Sequence, residues 1–150
     1  MVVWLVLAAL VAFAGYVRLA PSDPAVWHVA PTEGGESLPA AIGTAPEIVT
    51  TLNSALARLQ VQGPPSLGLE RLDAIAMETP RTLRLAGTPQ EGRITWVTRS
   101  AIWGFPDYTT AEATATDGTT SELMIHARSR FGRGDMGVNA ARLKDWLSKL

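Results

Sequence analysis

The chain has 150 residues, with 13 lysines and arginines against 14 aspartates and glutamates, and its formal net charge is −1. This balance argues against the basic surface that a nucleic-acid-binding domain presents, so we expect no nucleic-acid partner. The absence of cysteine excludes disulfides, thiolate metal sites and a cysteine nucleophile. Once a hydrophobic N-terminal segment is set aside, the length suits a single domain with one core.

The N-terminal segment contains no charged residue before Arg18. At about 1.5 Å per residue, an apolar helix of this length approaches the roughly 30 Å thickness of the hydrocarbon layer. Trp4 and Tyr16 lie near its two ends, where aromatic rings prefer the headgroup boundary. The sequence therefore predicts a transmembrane anchor over residues 1–20, with the lipid bilayer as a partner. Cleavage after residues 12–14 (AFA) is the alternative, although the basic region that precedes a signal peptide is missing.

The side of the membrane on which the domain lies is open to two interpretations. Arg18, on the C-terminal side of the anchor, favours a cytoplasmic domain by the positive-inside rule. An uncleaved anchor with so short an N-terminal tail more readily exports its C-terminal domain. We therefore expect a single-pass protein of the bacterial inner membrane whose soluble domain lies in the periplasm.

The segment after the anchor is rich in proline and glycine and predicts a tether over residues 21–46, with a short strand at 26–29. The soluble domain is expected over residues 47–150. A helix is predicted from Pro46 to Gln60, because apolar residues recur at helical spacing. Those residues are Ile48, Val49, Leu52, Leu56 and Leu59. Residues 67–78 fit either a helix or irregular structure.

The second half contains short segments rich in threonine, valine, isoleucine and aromatic residues, which are typical of antiparallel strands. Four are predicted, at 82–85, 93–99, 107–116 and 121–130, with a hairpin turn at Asp117-Gly118. A final helix is predicted from Asn139 to Leu150. The predicted fold class is α+β, a small antiparallel sheet of about four to five strands packed by helices.

A group of cations at the end of the last strand forms the candidate ligand site. Arg128, Arg130 and Arg133 precede the N-terminus of the final helix, where Asn139 lies, and could bind a phosphate, a carboxylate or a lipid headgroup there. The alternative is structural, because the same arginines could pair with Asp107, Glu112 and Asp135 and fasten the sheet to the helix. Both interpretations stay open.

The remaining polar residues match no catalytic signature, and the two histidines, His28 and His126, make a poor metal site. We expect no metal and no cofactor. A hydrolase that uses Asp107 and Asp135 is the weakest hypothesis. The aromatic cluster on the connection near Gly104 either packs in the core or recognises a partner. Its members are Trp96, Trp103, Phe105 and Tyr108.

Two stretches, GFPDYTTAEA at 104–113 and IHARSRFGRGDMGVNAARLKDWL at 125–147, resemble the uncharacterised family called domain of unknown function 1499. The family motif corresponds here to Phe105, Asp107, Ser129, Arg130, Gly132, Asp135, Gly137, Asn139 and Arg142. Members often have a cysteine near the start of the domain, which this chain lacks. The resemblance implies an association with the cell envelope, or with the lumen in plastids, and no known activity.

These observations favour a non-catalytic binding or accessory protein of the envelope over an enzyme. An integral-membrane protein complex is the expected partner. Binding of a small anion or lipid headgroup is the alternative.

Overall fold

The computed structural model describes residues 1–34 and 46–150. Its helices are α1 (Val2–Leu19), α2 (Pro24–Trp27), α3 (Pro65–Glu78) and α4 (Val138–Leu147). Its strands are β1 (Glu47–Thr50), β2 (Ser54–Gln62), β3 (Thr82–Thr88), β4 (Arg93–Arg99), β5 (Pro106–Ala115) and β6 (Thr120–Ser129). They form one antiparallel sheet in the order β1-β2-β6-β5-β4-β3. The predicted α+β class is confirmed, with six strands in place of four to five.

The inner face of the sheet is covered by α3 and α4 and holds the hydrophobic core. Trp96 of β4 and Trp146 of α4 meet edge to face in this layer, with ring centroids 5.6 Å apart. The Trp96 indole donates a 2.8 Å hydrogen bond to Asp73 of α3, which is also paired with Arg84 of β3. Burial of large aromatic rings whose N–H groups have partners stabilises the core of a small domain.

The outer face is covered in part by the chain that follows α1. Trp27 stacks on Tyr108 of β5 at 3.8 Å between centroids, and Nδ1 of His28 lies 2.9 Å from the Thr95 hydroxyl. The first part of the predicted 21–46 tether, up to residue 34, thus includes packed structure. Residues 35–45 of that tether lie outside the described residues.

The helix predicted from Pro46 to Gln60 is wrong, because this stretch forms the β1–β2 hairpin. Leu56 faces the outer side and Leu59 the inner side, and both are buried. A strand with two covered faces loses the polar–apolar alternation of a half-exposed strand, so its leucines matched a helical period. The β-branched run Val49-Thr50-Thr51 was the strand signal.

The strand predicted at residues 26–29 is also wrong, since α2 occupies part of it. Asp23 caps this helix by accepting the Ala25 N–H at 2.9 Å, and Pro24 takes its first position. This pairing of an aspartate cap with a following proline is a helix-start signal. Residues 67–78, which fitted two interpretations, belong to α3. The four strands predicted in the second half and the final helix are confirmed within a few residues of their bounds.

Helix α1 stands clear of the sheet for most of its length. Among its residues only Val17 is buried, and the first two turns are almost wholly exposed. In the described part of the chain it is the one helix long and apolar enough to cross a membrane, a property that a signal sequence near the N-terminus shares.

Candidate functional site

A polar network joins the start of β5, the end of β6 and the first turn of α4. Oδ1 of Asp107 accepts a 2.6 Å hydrogen bond from the Ser129 hydroxyl, directly opposite on the neighbouring strand. Oδ2 accepts a 2.7 Å hydrogen bond from Nη2 of Arg142, and both partners are nearly buried. Charge-assisted bonds of this length between buried groups hold α4 against the sheet.

Asn139 connects the remaining groups of the network and is fully buried. Its side-chain oxygen accepts from Arg142 at 2.6 Å, and its amide donates to the Ser129 hydroxyl at 3.0 Å. Asp135 then caps the helix, because its two carboxylate oxygens accept the backbone N–H groups of Gly137 and Asn139. The motif residues Asp107, Ser129, Asp135, Gly137 and Asn139 therefore lie in one structural cluster.

The loop geometry explains the two motif glycines. Gly132 has φ +93° and Gly137 has φ +79°, and these left-handed conformations strain any residue that has a Cβ. The two turns lead the chain from the end of β6 to the inner face of the sheet. There Asp135 accepts the N–H groups at the start of α4. A Cβ at Gly137 would meet no atom within 4 Å, so the cost of a side chain there lies in the backbone conformation alone.

A pocket of about 500 Å³ lies above the network, at the foot of α1. Asp107 and Ser129 form part of its polar side, and the rest is mainly apolar. The apolar lining is formed by Phe13 of α1 with Phe105, Phe131, Met136 and Val138. Ring contacts of 6.2 Å between Phe13 and Phe105 and 6.0 Å between Phe105 and Phe131 build this wall. A largely apolar pocket with a few polar groups suits an apolar or amphiphilic group.

The predicted cationic site is divided between two faces of the sheet. Arg128 lies on the outer face, where it donates to the Trp27 carbonyl at 3.1 Å and its guanidinium lies over the Trp27 ring. Arg130 donates to the Pro21 carbonyl at 2.6 Å. Arg133 is exposed on the loop after β6, whereas Asn139 is buried beneath the inner face. Anion binding by this group stays a prediction.

Other groups take the carboxylates that were expected to pair with these arginines. Asp107 pairs with Arg142, and Glu112 accepts from Arg93 on the adjacent strand at 2.6 Å. Asp135 accepts the backbone N–H groups of the first turn of α4. Arg142, rather than the predicted arginines, therefore fastens the sheet to the final helix.

The two aspartates of the hydrolase hypothesis line the same pocket. Each of their four oxygens accepts a hydrogen bond from within the chain. The Arg142 guanidinium on Asp107 and the Gly137 and Asn139 N–H groups on Asp135 hold both carboxylates as fixed acceptors. This geometry favours positioning roles for Asp107 and Asp135.

The histidines lie on the outer side of the sheet. Burial and the nearby Arg93 lower the pKa of His28, against opposing effects of Glu91 and Glu112. His126 is buried in the middle of β6. Within residues 1–34 and 46–150, no three histidine, aspartate or glutamate side chains are grouped closely enough to hold a metal ion.

The aromatic cluster is divided as well. Trp96 and Tyr108 are fully buried, on the inner and outer faces respectively, while Trp103 is 42% exposed and Phe105 is half-buried beside the pocket. Sequence reasoning missed Phe13 and Phe131 as pocket residues. The position of Phe131 directly after a strand was a weak signal of a pocket residue. The sequence around Phe13 gave no such signal, because every residue near Phe13 is apolar.

No curated protein and no solved structure matches the chain. The model of the family described as protein of unknown function (DUF1499) matches residues 29–150, which include the sheet, α3, α4 and the whole polar network. The chain therefore belongs to the DUF1499 family.

Proposed function

We propose that this chain is a membrane-anchored, non-catalytic binding or accessory protein of the cell envelope. The observation that supports this most directly is the contrast along α1. The residues of its first two turns are all exposed, whereas Val17 in its last turn is buried against the folded domain. An apolar helix that is exposed all round needs an apolar environment outside the protein.

The foot of α1 is attached to the domain by specific contacts. Val17 is fully buried, and the Arg18 guanidinium donates to the Ile102 carbonyl at 2.6 Å. The Arg18 stem packs so close to Gly104 that a Cβ at that glycine would lie 2.9 Å from it. The Ser22 and Tyr108 hydroxyls then share a 2.8 Å hydrogen bond. The anchor and the domain are thus joined without a free linker at residues 17–22.

Retention of the anchor agrees better with these contacts than cleavage does. Cleavage after residue 14 would remove Phe13 and with it one wall of the pocket. It would leave Phe105 and Phe131 more exposed in a released domain. Large exposed apolar patches are rare on soluble monomers.

The pocket at the foot of α1 is the proposed binding site. Its apolar walls and its position beside the anchor favour an amphiphile or an apolar segment of a membrane protein as the occupant.

We place the domain on the periplasmic side of a bacterial inner membrane, with α1 as the single span.

Membrane extraction of the full chain tests the anchor. The double variant Leu7→Arg/Leu10→Arg introduces two charges at exposed positions of α1, and each costs about 2.5–3.5 kcal/mol near the centre of a span. We expect the unaltered chain to stay with alkaline-washed membranes and this variant to be lost from them. Thr119→Arg, on the β5–β6 turn, is the control and should be retained.

A reporter that is active only outside the cytoplasm, fused after Leu150, tests the side of the membrane. Activity together with retention supports the proposal. An alkaline wash that releases the unaltered chain would contradict the anchor, and a silent but well-expressed fusion would contradict the periplasmic placement.

A further inference from the structure

Four described connections lie at the end of the sheet from which α1 emerges. Residues 79–81, between α3 and β3, hold no large apolar side chain. The other three are residues 51–53 between β1 and β2, 100–105 between β4 and β5, and 130–137 between β6 and α4. The strand register places them together, since Ser54 pairs with Arg128 and Asp107 pairs with both Ser129 and Thr98. The Asp135 N–H also donates to the Leu52 carbonyl at 2.9 Å.

The tips of these connections present large apolar side chains to solvent. Leu52 is 80% exposed, Ile102 77%, Trp103 42% and Met136 97%. We call these four residues the apolar rim. Among the described residues, the connections at the opposite end of the sheet are 63–64, 89–92 and 116–119, and their exposed residues are proline, glutamine, glutamate, threonine, aspartate and glycine. In these described connections, exposure of large apolar side chains is thus concentrated at the end that holds the anchor.

Met136 is the clearest member of the rim. Its φ of +53° is unusual for a residue with a Cβ, and such backbone strain costs about 1–3 kcal/mol. The conformation directs no part of the side chain into the core, since Met136 is almost fully exposed. An apolar residue held outward at the mouth of the pocket buries almost no surface on folding, but it would gain from an apolar environment outside the protein.

The contacts of α1 set the depth of the rim relative to the membrane. The helix has 18 residues, which gives about 27 Å, so nearly all of it is needed to cross a hydrocarbon layer of roughly 30 Å. Phe13 precedes the end of α1 by six residues, or about 9 Å along the axis. Because Phe13 contacts Phe105, and Tyr16 contacts Phe131 at 6.1 Å, these two connections reach the level of the spanning helix.

Cations surround the same end of the domain. They are Arg18, Arg81, Arg99, Arg130 and Arg133. The carboxylates nearby are Glu78 and Asp23, which are exposed, and Asp107 and Asp135, which are held by internal donors. An excess of arginine beside apolar tips complements the anionic headgroups of a bilayer surface.

We propose that the apolar rim enters the headgroup region of the bilayer that α1 crosses, so that the pocket at the foot of α1 opens toward lipid. This inference rests on the proposed membrane anchor. It predicts that the domain lies directly on the membrane surface, with the polar turns 89–92 and 116–119 directed away from it.

Single-cysteine labelling tests the rim directly, because the chain has no cysteine of its own. The full chain is prepared with Met136→Cys, Ile102→Cys or, as the matched control, Thr119→Cys at the far end. Each variant is labelled with a polarity-sensitive fluorophore and reconstituted in vesicles of phosphatidylethanolamine and phosphatidylglycerol. Emission is recorded with and without a quencher attached to the lipid acyl chains.

We expect blue-shifted emission and a loss of intensity with quencher lipids at positions 136 and 102, and neither effect at position 119. Water-like, unquenched emission at 136 and 102 from a chain that floats with the vesicles would overturn the rim while leaving the anchor intact. Blue-shifted emission without quenching would also overturn it, because a second copy of the chain would then cover the rim. Failure to float would instead contradict the anchor itself.

Discussion

Arg142 is the residue on which the polar network depends most. Its guanidinium reaches both Asp107 and Asn139, and its side chain is only 8% exposed. Arg142→Met keeps the apolar stem but leaves the Asp107 carboxylate without its cation. Removing one member of a buried pair costs about 3–5 kcal/mol, so we expect a loss of about 3 kcal/mol in unfolding free energy, measured by denaturant titration.

The exposed pair formed by Lys149 and Asp145 provides the control. Both of its side chains are more than half exposed, and such pairs contribute about 0–1 kcal/mol. Lys149→Met should therefore leave the unfolding midpoint almost unchanged. Equal destabilisation by Arg142→Met and Lys149→Met would show that the network does not hold α4 to the sheet.

At the scale of the elements, His28 fastens the segment after α2 to the outer face of the sheet through Thr95. Burial and Arg93 lower its pKa below the ordinary value of 6.5, so the folded chain favours neutral imidazole. Above pH 6.5 the ring is neutral whether folded or unfolded, and the full stabilisation is present. As the pH falls through 6.5, the unfolded chain takes up the proton first, and stability is lost until the folded pKa is passed.

We therefore expect the thermal unfolding midpoint of the unaltered chain to fall more between pH 7.5 and 5 than that of His28→Gln. Glutamine retains a hydrogen-bonding group but does not titrate. Every other titratable group is present in both proteins, so the comparison isolates the effect of position 28. Parallel pH profiles would contradict a role for His28 in holding this segment.

The elements that could be predicted from the sequence are those whose signals are local. β5 and β6 alternate between faces around Asp117-Gly118, and α4 has an apolar stripe. The β1–β2 hairpin could not be predicted in this way, because Leu56 on the outer face and Leu59 on the inner face are both buried. When both faces of a strand are buried, apolar and polar residues no longer alternate along it. The prediction of a strand depends on that alternation.

The candidate site was predictable to a similar extent. The residues of the network were grouped in advance only by the resemblance to DUF1499, whose motif corresponds to Asp107, Ser129, Asn139 and Arg142 here. The partners of Arg128 and Arg130 were not, because both donate to carbonyls of the segment before the domain, at Trp27 and Pro21. Any residue of an irregular segment can accept a hydrogen bond through its backbone carbonyl. The residue types therefore do not mark which carbonyls these arginines contact.

For the whole molecule, the anchor, the pocket and the apolar rim lie at one end of the sheet, and polar turns occupy the other. Under the proposed anchoring, a bilayer would supply the apolar environment for both α1 and the rim. The polar network lies beneath that end and holds the connections around the pocket. Retention of α1 therefore decides whether the pocket and the rim meet a membrane at all.

The intact mass of the chain recovered from alkaline-washed membranes of the producing cells shows whether α1 is retained. We expect a membrane-bound protein whose mass includes residues 2–14, with Phe13 in place against Phe105. A soluble protein that begins at Gly15 would contradict this expectation, because the anchor would then be a signal peptide.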